Sequence, residues 1–326
     1  MKISFAEGLA KAIYESLDAD PRVVLIGGGF MGLNIGARKL MEPAVQKFSD
    51  RILATPVSEL ALCGAATGAA VCGQRPVVDI GTGSFIFQAF AQVVNEAANI
   101  HYMSGGQSNA PVTFYCLAGM RGMGAAQHSH RMQAMLGQVP GLQILTPGSA
   151  EDAYYLMKWA LLESQNPTVF ISHSLLLAET AELAPGAAMV PVGKACIRKQ
   201  GRDLSIIASS ITVPRTLAAA EVLEREHGVS AEVVDLRTIV PLDRETVLQS
   251  VAKTGRAVIA DECHRSFGVS AEIAATLAEE GLALLKAPVC RVAVPDVPIP
   301  FSPPLENELT VTKEKIVAGA LKVLGR

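Results

Sequence analysis

Short β-branched runs recur along this chain at spacings too wide for hairpins, with room for a helix between neighbours, and few folds satisfy that rhythm. The runs "RVVLI" (22–26), "PVVDI" (76–80), "PVTFY" (111–115), "QILT" (143–146) and "TVFIS" (168–172) read as buried strands. Between them lie segments with helical spacing, such as Phe5, Leu9, Ile13 and Leu17, which step by four along one face. In "PGSAEDAYYLMKWALLES", Ser149 stands as an N-cap and Asp152 completes a capping box. Strands alternating with helices of about 10–15 residues imply parallel sheets with helices on both faces.

Near residue 175 the rhythm lapses, and "LLLAETAELAPGAAMVPVGKACIRKQGRD" reads as a surface linker. A second series follows: "LSIIAS" (204–209), a helix over about 213–226, "AEVVDL" (231–236), a helix from Asp243, "RAVIAD" (256–261), a helix over about 267–281, and "CRVAV" (290–294). A Pro-rich stretch at 295–306 leads into a last helix through "VTKEKIVAGALKVL". The fold class is therefore α/β, with two parallel-sheet domains over 1–185 and 186–326 and a boundary within 180–195.

With 326 residues, half of them hydrophobic, the chain can bury two cores. A net charge of -3 leaves no basic field for nucleic acid. The densest basic stretch, "IRKQGR" (197–202), reads as a solvated turn. No apolar run reaches the roughly 18–20 residues of a membrane span. The N-terminus carries Glu7 and Glu15 with helical periodicity, which is unlike a signal peptide, so a reducing cytoplasm is expected. The six cysteines lack paired spacing and read as buried free thiols, with Cys263-His264 the only Cys–His neighbours.

Four segments bear on chemistry. Glu59 follows Thr-Pro-Val-Ser at the mouth of a helix rich in Ala and Gly, where a planar ligand can approach the backbone and meet one acid. Gly27-Gly28-Gly29 follows the first strand, but the spacing is not that of a dinucleotide loop, and a permissive strand-end turn is the plainer reading. Phe85, Phe87 and Phe90 lie where a strand passes through a Gly-Ser loop into a helix. They either stack on a heterocycle or belong to the core. His128 and His130 follow the flexible "LAGMRGMGAAQ" without a third metal ligand, which favours acid/base work over zinc.

"ATPVSE" before a Gly/Ala helix, "AANIHYMSGGQ", "AAQHSH", "VPGLQILTPGSAEDA", "VVDLRTIVPLD" and "FGVSAEI" follow one another across nearly the whole chain. In that order they resemble the β subunit of the thiamine-diphosphate-dependent dehydrogenase component of 2-oxo acid dehydrogenase complexes, of pyruvate, branched-chain or acetoin type. The resemblance implies an N-terminal pyrimidine-binding domain and a C-terminal transketolase-like domain. It implies that Glu59, next to Ser58, bonds the cofactor's aminopyrimidine and favours its reactive imino tautomer, and that Phe85 packs on that ring. It makes His128 face substrate and acyl acceptor, with His130 secondary where relatives carry Gln.

The family's magnesium-diphosphate motif, Gly-Asp-Gly to Asn-Asn, does not occur in this chain. The resemblance thus implies a separate α subunit holding magnesium and the diphosphate, an α2β2 assembly, and a lipoyl-bearing or acyl-carrier protein as acceptor. It also implies a monovalent cation such as potassium on backbone oxygens near Ala160 and Glu163, although Glu163 and Gln165 replace the common Asp and Asn. Gly28 stands where relatives have an acid of the tunnel between two cofactors. "DECHRSFG" and "ISHSLLLA" also depart from the pattern. A split transketolase-like subunit that transfers a two-carbon ketol unit is the alternative.

Overall fold

The computed structural model describes residues 1–27, 37–183 and 191–326. Gly28, Gly29 and the centre of the expected linker lie outside the described residues. The chain packs as two compact units: Met1–Ala118 with Met135–Met189, and Gly119–Ala134 with Val190–Arg326.

The first unit holds β2 (Val23–Ile26), β3 (Ile52–Leu53), β4 (Arg75–Thr82), β5 (Thr113–Leu117), β6 (Gln143–Leu145) and β7 (Thr168–Ser172). These pair in parallel in the order β6-β7-β5-β4-β2-β3. The expected strands all form, because runs such as Val77-Val78 and Val169-Phe170-Ile171 are buried completely, as a sheet covered on both faces requires. Helix α1 (Phe5–Ala19) buries Phe5, Leu9, Ile13 and Leu17, and packs on α2 (Ala37–Lys47) and α6 (Ala150–Leu162). Ser149 does cap α6, receiving the Asp152 N–H at 3.1 Å, while the Asp152 carboxylate accepts from the Ser149 hydroxyl at 3.2 Å. The reciprocal capping box is instead found at α1, between Ser4 and Glu7.

The stretch read as a linker is more structured than expected. Leu176 is fully buried, and β8 (Thr180–Glu182) pairs antiparallel with β1 (Lys2–Ser4). Further on, β9 (Cys196–Lys199) adds an antiparallel edge to the second sheet. A three- or four-residue edge strand leaves too little periodicity to be seen in sequence.

In the second unit that sheet runs β14 (Cys290–Val294), β13 (Ala257–His264), β10 (Leu204–Ala208), β11 (Ala231–Asp235), β9, and it is parallel apart from β9. Helices α7 (Thr212–His227) and α11 (Lys313–Val323) pack together on it, as do α8 (Arg244–Thr254) and α9 (Val269–Glu279). Right-handed crossovers put these pairs on opposite faces, since the chain reverses direction along the sheet after β11. Among the described residues, no helix is long and apolar enough to cross a membrane.

Candidate active site

In a parallel sheet, ligands meet the loops beyond the strands' carboxyl ends. Helix α3 (Glu59–Val71) starts beyond β3, and a 3-10 segment (Gly83–Ala89) continues from β4. A π-helical segment (Ala91–Ala97) follows, and α3 packs against both. Seven residues of 3-10 helix and a π turn are each uncommon, and π segments concentrate at functional sites.

Glu59 opens α3 with its carboxylate in the first turn, where the helix dipole favours negative charge. It is half-buried and makes no hydrogen bond or ion pair with another described residue. Its charge reaches Cys63 one turn on, whose thiol is pushed up to about 12, first by burial and then by Glu59. Ser58 is exposed, and its side chain caps nothing at the helix start. The α3 surface is small-residued as expected: a Cβ on Gly68 would meet nothing, and one on Gly64 would only touch Gln92 Cγ at 3.5 Å. Phe85 is half-buried, whereas its neighbour Ile86 is wholly in the core. Phe87 is 37% exposed. Buried Gln92 Oε1 and Thr55 Oγ1 have no hydrogen-bond partner among the described residues.

A free carboxylate, an aromatic that is not core, two unmatched polar atoms and a wall without bulk fit a planar heterocycle with ring nitrogens. Gln92 carried no signal in sequence, since an amide inside a helix normally faces solvent.

His128 and His130 lie in the segment that packs with the second unit. His128 ends a 3-10 turn (Ala126–His128) and is half-buried; His130 is exposed. Partial burial, and then the charge of His264, hold the His130 imidazole below its ordinary value. Three contacts help to fix the segment. Met120 joins the apolar core, and the Gly122 N–H donates to buried Glu306 at 2.7 Å. Arg131 Nε lies 3.1 Å from Glu262 Oε2, both side chains being almost wholly buried. Arg215 donates to the other Glu262 oxygen at 3.3 Å. Removing one member of such a buried pair typically costs about 3–5 kcal/mol.

Cys263 is fully buried, and burial followed by Asp261 pushes its thiol well above the ordinary range, so it is no nucleophile. The expectation of buried thiols holds for Cys63, Cys116 and Cys263. It fails for exposed Cys72 and half-buried Cys196 and Cys290.

Near Ala160 and Glu163, three backbone carbonyls accept side-chain hydrogen bonds. Arg75 donates to Leu161 O and, at 2.7 Å, to Ser164 O, and Gln165 donates to Glu163 O at 3.1 Å. These donors suit the C-terminus of α6.

Two family descriptions match: "Transketolase, pyrimidine binding domain" over residues 1–179 and "Transketolase, C-terminal domain" over 193–316. The pyruvate dehydrogenase E1 component subunit beta-1 of Oryza sativa is 41% identical, over 100% of this chain and 87% of that protein. The acetoin:2,6-dichlorophenolindophenol oxidoreductase subunit beta of Cupriavidus necator is 35% identical, over 99% of this chain and 98% of its own. The structure of a split-gene transketolase, an inactive β4 tetramer, superposes with a TM-score of 0.81 at 24% identity, covering 99% and 98% of the two chains. At that identity the likeness speaks for the fold alone. The chain belongs to the transketolase-like family of E1 β subunits that includes the pyruvate dehydrogenase and acetoin oxidoreductase β chains.

Proposed function

We propose that this chain is the β subunit of a thiamine-diphosphate-dependent enzyme that decarboxylates a 2-oxo acid and passes the acyl group to a lipoyl carrier. The observation that carries the reading is the half-buried Glu59 carboxylate, free of partners among the described residues, at the start of a helix without bulk. When bound, thiamine diphosphate supplies the carbon nucleophile and the electron sink for loss of carbon dioxide. Glu59 accepts or holds a proton at the pyrimidine nitrogen and so sets that ring's tautomer. Phe85 covers the ring face, Ser58 lies at its edge, and the Gln92 and Thr55 oxygens complete the polar contacts. His128 faces the substrate and moves a proton at the acyl acceptor, with His130 secondary.

An α subunit partner goes with membership among E1 β subunits, and it would hold magnesium and the diphosphate in an α2β2 assembly. The domains are those of 1–185 and 186–326, in a cytoplasmic enzyme. A monovalent cation such as potassium would take backbone oxygens near Ala160 and Glu163, and no step runs through it. Ketol transfer, the alternative, has only the shared fold in its favour.

The test is Glu59→Gln in the chain reconstituted with its α subunit, thiamine diphosphate and magnesium. Replacing a charge-assisted bond should weaken cofactor binding by about 1.5–3 kcal/mol. Release of carbon dioxide from 2-oxo acids should fall further, with assembly intact. Wild-type turnover in Glu59→Gln would refute the role, and no carbon dioxide from any 2-oxo acid would refute the function.

A further inference from the structure

We propose that Glu262 is a positioning residue for the reaction, acting on His128 through Arg131. The inference rests on the reading of His128 as the group facing substrate and acceptor.

His128 sits on a segment whose own backbone does not favour its shape. Met123 and Ala125, neither of them glycine, have φ of 56° and 52°. Such residues persist in the left-handed region only where the surroundings over-determine them. The Met123 side chain is 59% exposed, so it contributes little to the hold. Buried acids hold the segment on either side of His128: Glu306 on the Gly122 N–H and Glu262 on Arg131.

Glu262 is the nearer in sequence to His128 through its partner, and it is the better fixed. It lies on β13, wholly buried, with Arg131 at one oxygen and Arg215 of α7 at the other. A buried ion pair seldom stabilises a fold more than an apolar contact of equal volume, and Met120 already supplies an apolar anchor for this segment. What charge adds is direction. A guanidinium held at a fixed carboxylate sets the angle at which the chain leaves Arg131, and hence where the His128 imidazole points. A misplacement of about 1 Å in a reacting group can lower rate about 100-fold.

The experiment is a double-mutant cycle in the assembled complex with thiamine diphosphate and magnesium. It measures 2-oxo acid decarboxylation coupled to acylation of a lipoyl domain, and melting temperature in parallel. Glu262→Gln should lower kcat about 10-fold or more with little change in KM. Combined with His128→Ala it should lower kcat no further than His128→Ala alone, because the residue it acts through is gone. Multiplicative losses in the double variant, or an unchanged kcat in Glu262→Gln, would overturn the proposal while leaving the role of His128 standing. A wild-type kcat in His128→Ala would overturn that role and the proposal with it. If Glu262→Gln does not assemble, Arg131→Lys replaces it in the same cycle: it keeps a charge for Glu262 and loses the rigid guanidinium plane.

Discussion

Asp79 should make the stability of this protein fall as pH rises through the mildly acidic range. It lies on β4 at the functional end of the first sheet, only 7% exposed, and accepts the Gly81 N–H at 2.7 Å. Burial raises its carboxyl from 3.8 to about 6, against the smaller opposing effect of that hydrogen bond. The folded state therefore holds the proton more tightly than the unfolded chain. Its contribution is most favourable below about pH 4, declines between 4 and 6, and is fully unfavourable above 6. A rise of roughly two units, at about 1.4 kcal/mol each, amounts to about 3 kcal/mol. Asp79→Asn keeps an acceptor for Gly81 and removes the titration. Urea midpoints of the two proteins, measured from pH 4 to 7, should nearly coincide at pH 4 and diverge in favour of Asn by up to about 3 kcal/mol at pH 7. A difference flat across that range, or an Asn variant less stable at pH 7, would refute the desolvation argument.

Two further outcomes follow from the same structure. Gly27→Ala should destabilise by about 1–3 kcal/mol in urea unfolding, since φ is +119° and a Cβ would sit 3.0 Å from Asp79 O. Under native conditions a thiol alkylating reagent should modify Cys72 quickly and leave Cys63 and Cys263 untouched until the chain unfolds. Rapid loss of the Cys263 thiol would contradict its burial.

The strands were legible because a parallel sheet covered on both faces writes itself as unbroken Val/Ile runs, which tolerate no polar interruption. Helix starts were legible where one side chain decides them, as at Ser149 and Asp243. The start of α3 at Glu59 was legible for a related reason, since a single acid ahead of a small-residued run suits the first turn of a helix. The 3-10 and π stretch was not, since "FIFQAFAQVV" has ordinary helical composition and its winding is imposed by packing on α3. Nor could sequence show that Gly119–Ala134 joins the second unit, because its anchors Glu262 and Glu306 lie far along the chain. The DECHRSFG stretch stood out in sequence only as a departure. Its Glu262 proves to be one anchor of the histidine segment.

The passage from tight to wide winding after β4 also bears on how this enzyme family can diverge. Phe85 belongs to the tightened stretch and Gln92 to the widened one, with Phe90 as the joint between them. Insertion or deletion of a residue beyond that joint would swing the amide to another azimuth and leave the aromatic where it was. The same change before it would turn both. The wall proposed to face the cofactor can therefore be re-cut on its polar side alone by altering chain length at one place. Point substitutions on a uniformly wound helix do not offer that freedom.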